Sequence, residues 1–154
     1  MMDATLTRAD FVHLHPIDTR WLDNDAYGHV NNVVYYSFFD TTVNHWLITQ
    51  GLLDIHQSPA IGLVVETGCR YFAPLSFPDH ITAGLRVSKV GTSSVRYELA
   101  LFRNNDPHPA AAGHFVHVYV DRESRRPVPI PAPTREALVT LQARGQCGAS
   151  CSAP

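Results

Sequence analysis

The chain has 154 residues and a mass of 17.1 kDa, with 12 Lys+Arg against 14 Asp+Glu and a formal charge of −2. At 45% hydrophobic and 17% charged residues, it carries enough apolar material for one domain with a real core and lies outside the disordered class. The charge balance argues against the basic stripe of a nucleic-acid groove, and no run approaches the 18 apolar residues of a membrane span. The N-terminus, MMDATLTRAD, lacks a secretory apolar stretch. The expectation is a cytoplasmic protein without nucleic-acid or membrane partners.

A first strand is expected around Phe11 to Trp21. Within it, His13-Leu14-His15 puts two imidazoles on one strand face, but spacing suggests no third ligand, so no metal is expected. A polar loop follows, Asp23-Asn24-Asp25-Ala26-Tyr27-Gly28-His29-Val30-Asn31-Asn32. Gly28 permits a tight turn there, and Asp23 reads as a solvated turn former. Residues 31 to 50, NNVVYYSFFDTTVNHWLITQ, carry one formal charge, Asp40. Their Val and Thr content favours a strand. Their length, the lack of an internal turn signal and the closing Gly51 favour a helix. A helix apolar nearly all round must be surrounded by protein, which selects one long helix with a curved sheet wrapped around it.

Four strand patterns follow. From Ile61 to Phe72 the odd positions, Ile61, Leu63, Val65, Thr67, Cys69 and Tyr71, read as one face, with Glu66 and Arg70 opposite. Ile81, Ala83, Leu85 and Val87 alternate with polar residues, as do Val95, Tyr97, Leu99 and Leu101; the last strand carries Val116, Val118 and Val120 on one face. Turn signals at residues 91–93 and 104–107 make this an antiparallel meander with one dry face. Pro127 to Pro133 is an extended proline strap, and Thr134 reads as the N-cap of a short helix, Arg135 to Arg144, ended by Gly145. The expected division is a single domain over 1–133, a short helix over 134–144 and a disordered tail over 145–154. Cys69, Cys147 and Cys151 make an odd count with two members in that tail, which is no disulfide framework.

The chemistry concentrates just ahead of the expected helix. A helix amino end presents unpaired N–H groups and a partial positive charge, so it can polarise a carbonyl or hold an oxyanion, and a carboxylate on the preceding loop can face the same carbon. Phosphate-loop, dinucleotide-loop and zincin motifs are absent, and residues 91–95 lack the second glycine of a nucleophile elbow.

The run Asp25-Ala26-Tyr27-Gly28-His29-Val30-Asn31-Asn32-Val33-Val34-Tyr35, with Phe38-Phe39-Asp40 after it, resembles the 4-hydroxybenzoyl-CoA thioesterase branch of the hotdog-fold acyl-CoA thioesterases. Residues 70–75 and 90–95 resemble that family's following segments, so the likeness covers about residues 10 to 122. The resemblance implies the α+β hotdog fold, a long central helix wrapped by a curved antiparallel sheet of five or six strands. It also implies hydrolysis of an acyl-CoA thioester without a cofactor, coenzyme A being part of the substrate. Asp25 then corresponds to the catalytic carboxylate, as base or nucleophile, and the Asn32 N–H to the donor to the thioester carbonyl. Tyr27, His29, Asn31 and Tyr35 are the expected substrate-side residues, and Phe38 can pack the acyl group. A simpler reading makes Asn31 an N-cap and Tyr35 core. Asp40 stands where many relatives carry Glu and reads as a hydrogen-bonded carboxylate inside the assembly. Lys89 and Arg96 read as solvated sheet-edge charges, with a CoA phosphate as their alternative partner. A homodimer or homotetramer with the site at a subunit interface is implied as well. Two other readings remain open from sequence: a hotdog hydratase or dehydratase using Asp25 and His29, and a non-catalytic acyl-binding protein.

Overall fold

The computed structural model describes residues 3–142. Five strands, β1 (His13–Asp18), β2 (Ala60–Tyr71), β3 (His80–Val90), β4 (Ser94–Arg103) and β5 (Ala111–Asp121), form one antiparallel sheet in the order β1-β3-β4-β5-β2. Helix α1 (Val34–Thr49) lies on its concave face, and a short α2 (Ala132–Thr140) closes one end. This is the α+β hotdog arrangement, with the smaller of the two expected strand numbers.

The β3–β4 register explains the dry face. Ala83 pairs with Leu101, Leu85 with Leu99 and Val87 with Tyr97, so period-2 alternation places these apolar residues of both strands against α1. Phe39 and Val43 of α1 reach this surface and are fully buried. Gly113 allows the close approach, because a Cβ there would stand 2.8 Å from the Phe39 ring. On the convex face the N-terminal segment folds back, seating Phe11 on Ala100, Phe102 and Ala112.

Several expectations need correction. The first strand is shorter than residues 11–21, and short 3-10 turns flank it at Arg8–Asp10 and Trp21–Asp23. The apolar face predicted for β2 is not continuous, because the pairing with β5 slips between Val64 and Glu66. A one-residue bulge reverses the side-chain phase. Thr67, Cys69 and Tyr71 therefore share the inner face with Phe115 and Gly113, while Leu63 lies opposite Val118 on the outer one. In β5 the inner face belongs to Phe115, His117 and Tyr119, and Val116 and Val118 point away from the helix. Burial outweighed β-propensity as a guide there. The helix α1 is not enclosed all round in the single chain: Ser37, Asp40, Thr41, His45 and Ile48 form an exposed stripe. Asp40 is exposed, and its Oδ1 accepts from Asn44 Nδ2 at 2.8 Å.

At the C-terminus α2 begins at Ala132, earlier than the predicted start, with Pro133 in its first turn. A proline there gives up no bond that the helix needs. Thr134 is accordingly buried within the helix rather than capping it. Arg135 fastens α2 to the β3–β4 turn by donating to the carbonyls of Gly91 (2.6 Å) and Thr92 (3.1 Å). The strap is shortened to about residues 127–131, with Val128 and Ile130 N–H donating to Tyr119 O and Thr92 O. The predicted helix end at residues 143–144, the tail over 145–154, Cys147 and Cys151 lie outside the described residues.

His117 is sealed under α1, only 2% exposed, and burial pushes its pKa down to about 4. A histidine depressed in the folded state binds fewer protons than in the unfolded chain. Stability is therefore full above about pH 6.5 and falls as pH drops from there towards 4. The gap between those values corresponds to about 3 kcal/mol. Urea titrations of the parent and His117→Phe at pH 7.5 and 4.5 should show the parent losing more stability than the variant by an amount of that order.

Candidate active site

The polar loop ahead of α1 is a closed hairpin. Asn24 bridges Val30, the Asp25 N–H donates to His29 O at 2.8 Å, and the Gly28 N–H donates to Asp25 O at 3.1 Å. Gly28 has φ +80°, the left-handed conformation that closes such a turn and that a side chain would strain. The segment after β2 holds this hairpin in place. Val30 N–H donates to Leu75 O (2.7 Å), Ser76 Oγ to Gly28 O (3.0 Å) and Phe77 N–H to Asn24 Oδ1 (3.0 Å).

The two loop aspartates have opposite environments. Asp23, expected in solvent, is 1% exposed. Its carboxylate accepts from the Arg20 N–H at 2.7 Å and from Nη2 of the same guanidinium at 2.8 Å, and its carbonyl accepts from the Asn31 N–H at 2.9 Å. It is the anchor of the loop. Asp25 is half-exposed; its Oδ1 accepts from the Tyr27 N–H at 2.9 Å, and its Oδ2 has no donor among the described residues.

The entry to α1 is capped by Asn31, whose Oδ1 accepts from the Val33 N–H (3.1 Å) and whose carbonyl accepts from the Val34 N–H (2.9 Å). The helix therefore starts at Val34 and not at Asn31, and Asn31 acts as the cap of its leading turn. The Asn32 N–H has no acceptor among the described residues. The Asn32 carbonyl is fixed by Tyr71, whose hydroxyl donates to it at 3.0 Å.

Asp25, Tyr27, His29, Asn32 and Tyr35 all line one open cavity of about 500 Å³, completed by Tyr71, Phe72, Ala73 and Pro74. Five of the six predicted site residues are thus brought together; Asn31 supports them from behind. Tyr35 is 3% exposed, and its ring meets Tyr71 edge-on at 4.8 Å, so it is both core and cavity wall. Burial raises the pKa of Tyr71 above the usual phenol range, which keeps it a hydroxyl donor. Sequence reasoning gave no role to residues 71–74. Their signal was the abrupt change from a period-2 strand to Phe72-Ala73-Pro74, where a sheet edge turns back towards the loop.

His13 and His15 do share a face, turned towards α1, where the His15 ring lies 4.3 Å from that of His45. Among the described residues no group of three His, Cys, Asp or Glu has metal-binding geometry.

Residues 19–138 fit the model of the thioesterase-like superfamily. The chain belongs to that superfamily. Its reaction class is thioester hydrolysis. The structure resembles the PA5185 protein of Pseudomonas aeruginosa strain PAO1 at 56% identity and a TM-score of 0.87, over 90% of this chain and 96% of that one. It also resembles a thioesterase-superfamily protein from Jannaschia sp. CCS1 at 25% identity and a TM-score of 0.75, over 82% and 80% of the respective chains. Slr0204 of Synechocystis, a 1,4-dihydroxy-2-naphthoyl-CoA thioesterase, shares the fold at 17% identity and a TM-score of 0.75, over 82% of this chain and 94% of its own.

Removing the buried carboxylate should loosen the site without touching its chemistry. Asp23→Ala leaves the Arg20 N–H unmatched and should cost about 1–3 kcal/mol. Urea denaturation of this variant beside Asp25→Asn should show a clear midpoint loss for the first and a shift within about 0.5 kcal/mol for the second.

Proposed function

We propose that the protein hydrolyses acyl-CoA thioesters at the cavity between the Asp25 loop and the amino end of α1. One observation carries this reading: an Asp25 oxygen with no donor and an Asn32 N–H with no acceptor border the same open space. A thioester carbonyl placed there has its oxygen towards the Asn32 N–H and the helix pole, which favour developing negative charge. Its carbon then faces Asp25. The carboxylate either attacks that carbon or takes a proton from an attacking water. In both routes the C–S bond breaks, the thiol leaves as free coenzyme A, and water supplies the oxygen of the released acid. A thioester is already electrophilic, so a carboxylate and a preorganised donor suffice. His29 and Tyr27, both exposed at the rim, contact the thioester arm, and Tyr35 packs the acyl group. The CoA thioester named for Slr0204 supports coenzyme A as the leaving group on this fold.

Asp25→Asn keeps the shape of the loop and removes the charge. Free-thiol release measured over a panel of acyl-CoAs should fall by on the order of 10² or more for each accepted substrate. A variant within a few-fold of the parent would overturn the assignment of Asp25.

The working unit is, in the same reading, a dimer joined through β2. Among the described residues only β5 pairs with that strand, which leaves its outer edge open. Val64 and Val65 on it are 46% and 60% exposed, and Trp21, Leu22 and Tyr27 are exposed as well. Unprotected apolar edges of this kind suit strand addition by a second copy. Light scattering of the parent should give a dimer or tetramer mass. Val65→Lys should shift the population towards the 17.1 kDa monomer and lower thioester hydrolysis with it.

A further inference from the structure

A second cavity, of about 250 Å³, opens between the C-terminal half of α1 and the first residues of β2. Its wall is largely apolar, with Leu47, Leu52, Ile61, Gly62, His117 and Tyr119 as the residues that matter here. The sixteen residues of α1 span about 24 Å at 1.5 Å each. The Asp25 loop stands at one end of that helix and this cavity at the other, so the two are separate within a chain.

The floor of the cavity is polar in an unusual way. His117 is 98% buried, its Nδ1 is sealed with no partner, and neither ring nitrogen makes a hydrogen bond among the described residues. Its ring is held between Tyr97 and Phe115, at centroid distances of 5.6 and 5.0 Å. The Tyr97 hydroxyl, also buried, has the Tyr119 hydroxyl as its neighbour. Buried polar atoms are nearly always satisfied, and each exception calls for a bound species or a function. Gly62 lets the imidazole lie against the β2 backbone, since a Cβ there would stand 2.7 Å from His117 Nδ1. Cavities of about 150 Å³ lined by Leu and Phe accept benzene, so this larger one has room for a ring and a substituent. Burial also keeps the imidazole uncharged at neutral pH, with a pKa near 4, so it can pair with a hydroxyl group but gives a carboxylate no counter-charge for its desolvation.

We propose that the cavity at the C-terminal end of α1 is a binding site for an uncharged aryl or short alkyl group bearing a hydroxyl, with His117 as its hydrogen-bond partner. The ring or chain lies against Leu47, Leu52 and Ile61, and the hydroxyl is directed at the imidazole. Occupation of this site does not depend on the role given to Asp25.

Phenol, toluene and benzoate titrated into the full-length protein test this, with calorimetry for affinity and the ring ¹⁵N shifts of His117 for location. Phenol should bind about tenfold more tightly than toluene, as one good hydrogen bond gives, and benzoate should bind more weakly than phenol. His117→Phe should bring phenol and toluene to equal affinity, and Gly62→Ala should weaken phenol several-fold. Equal affinities of phenol and toluene for the parent protein overturn the proposal, as does the absence of binding by either. Should His117→Phe fail to fold, the ring shifts of the parent decide alone: they must move on saturation with phenol, and shifts that stay still overturn the assignment.

Discussion

The buried carboxylate of Asp23 and the backbone bonds around it are the constraint on which the rest of the site depends. Nothing in a ten-residue polar loop would otherwise hold one shape, since ordering each residue costs on the order of 1–2 kcal/mol. Asp23 ties the loop to Arg20 on one side and, through its carbonyl, to Asn31 on the other. Leu75, Ser76 and Phe77 then fix it from outside. The direction in which α1 leaves the loop, and therefore the space its first N–H groups face, follows from those bonds.

The helix in turn is located by the sheet. Gly113 removes a side chain where Phe39 must approach, and Leu85, Leu99 and Tyr97 supply the surface against which Phe39 and Val43 are sealed. The same closeness creates the polar floor beneath the other end of α1. His117 and Tyr97 occupy positions that strand alternation assigns to the core; Tyr97 has Tyr119 beside it, and His117 is left to find a partner in whatever fills the adjoining cavity. Keeping a buried imidazole unmatched costs stability. Leucine at position 117 would pack the same face without that cost, which is the physical reason to connect His117 with a ligand.

Much of the architecture was legible because strand alternation is a strong signal. The β3 and β4 patterns placed Ile81 to Val87 and Val95 to Leu101 on the buried face, and the structure agrees residue by residue. Where the reading failed, a local event had broken the period. The bulge at Val64 to Glu66 reversed the faces of β2, and no residue type there announces it. In β5, Val116 and Val118 looked more core-like than His117, yet register with Tyr97 and Val95 decided the matter. The start of α1 was misplaced because Asn31 caps from three residues outside the helix, and the start of α2 because a proline is tolerated in a first turn. In the candidate site, five residues clustered in sequence were clustered in space, which a hairpin makes easy. The contribution of residues 71–74 depends on a contact between distant segments, and the break in alternation at Phe72-Ala73-Pro74 marks a turn without saying what it meets.

The two aspartates of the loop show how one side-chain type divides between stability and chemistry. They are separated by a single residue and indistinguishable by composition. Asp23 has its oxygens occupied by a backbone N–H and a guanidinium and is closed off from water, so its charge is spent on holding the loop. Asp25 has one oxygen oriented by the Tyr27 N–H and the other free towards a solvent-open cavity. An oriented but unspent carboxylate is what attack on a carbonyl, or on a water beside it, requires. Exchanging the two environments would leave a loop with no anchor and a site with no reactive oxygen.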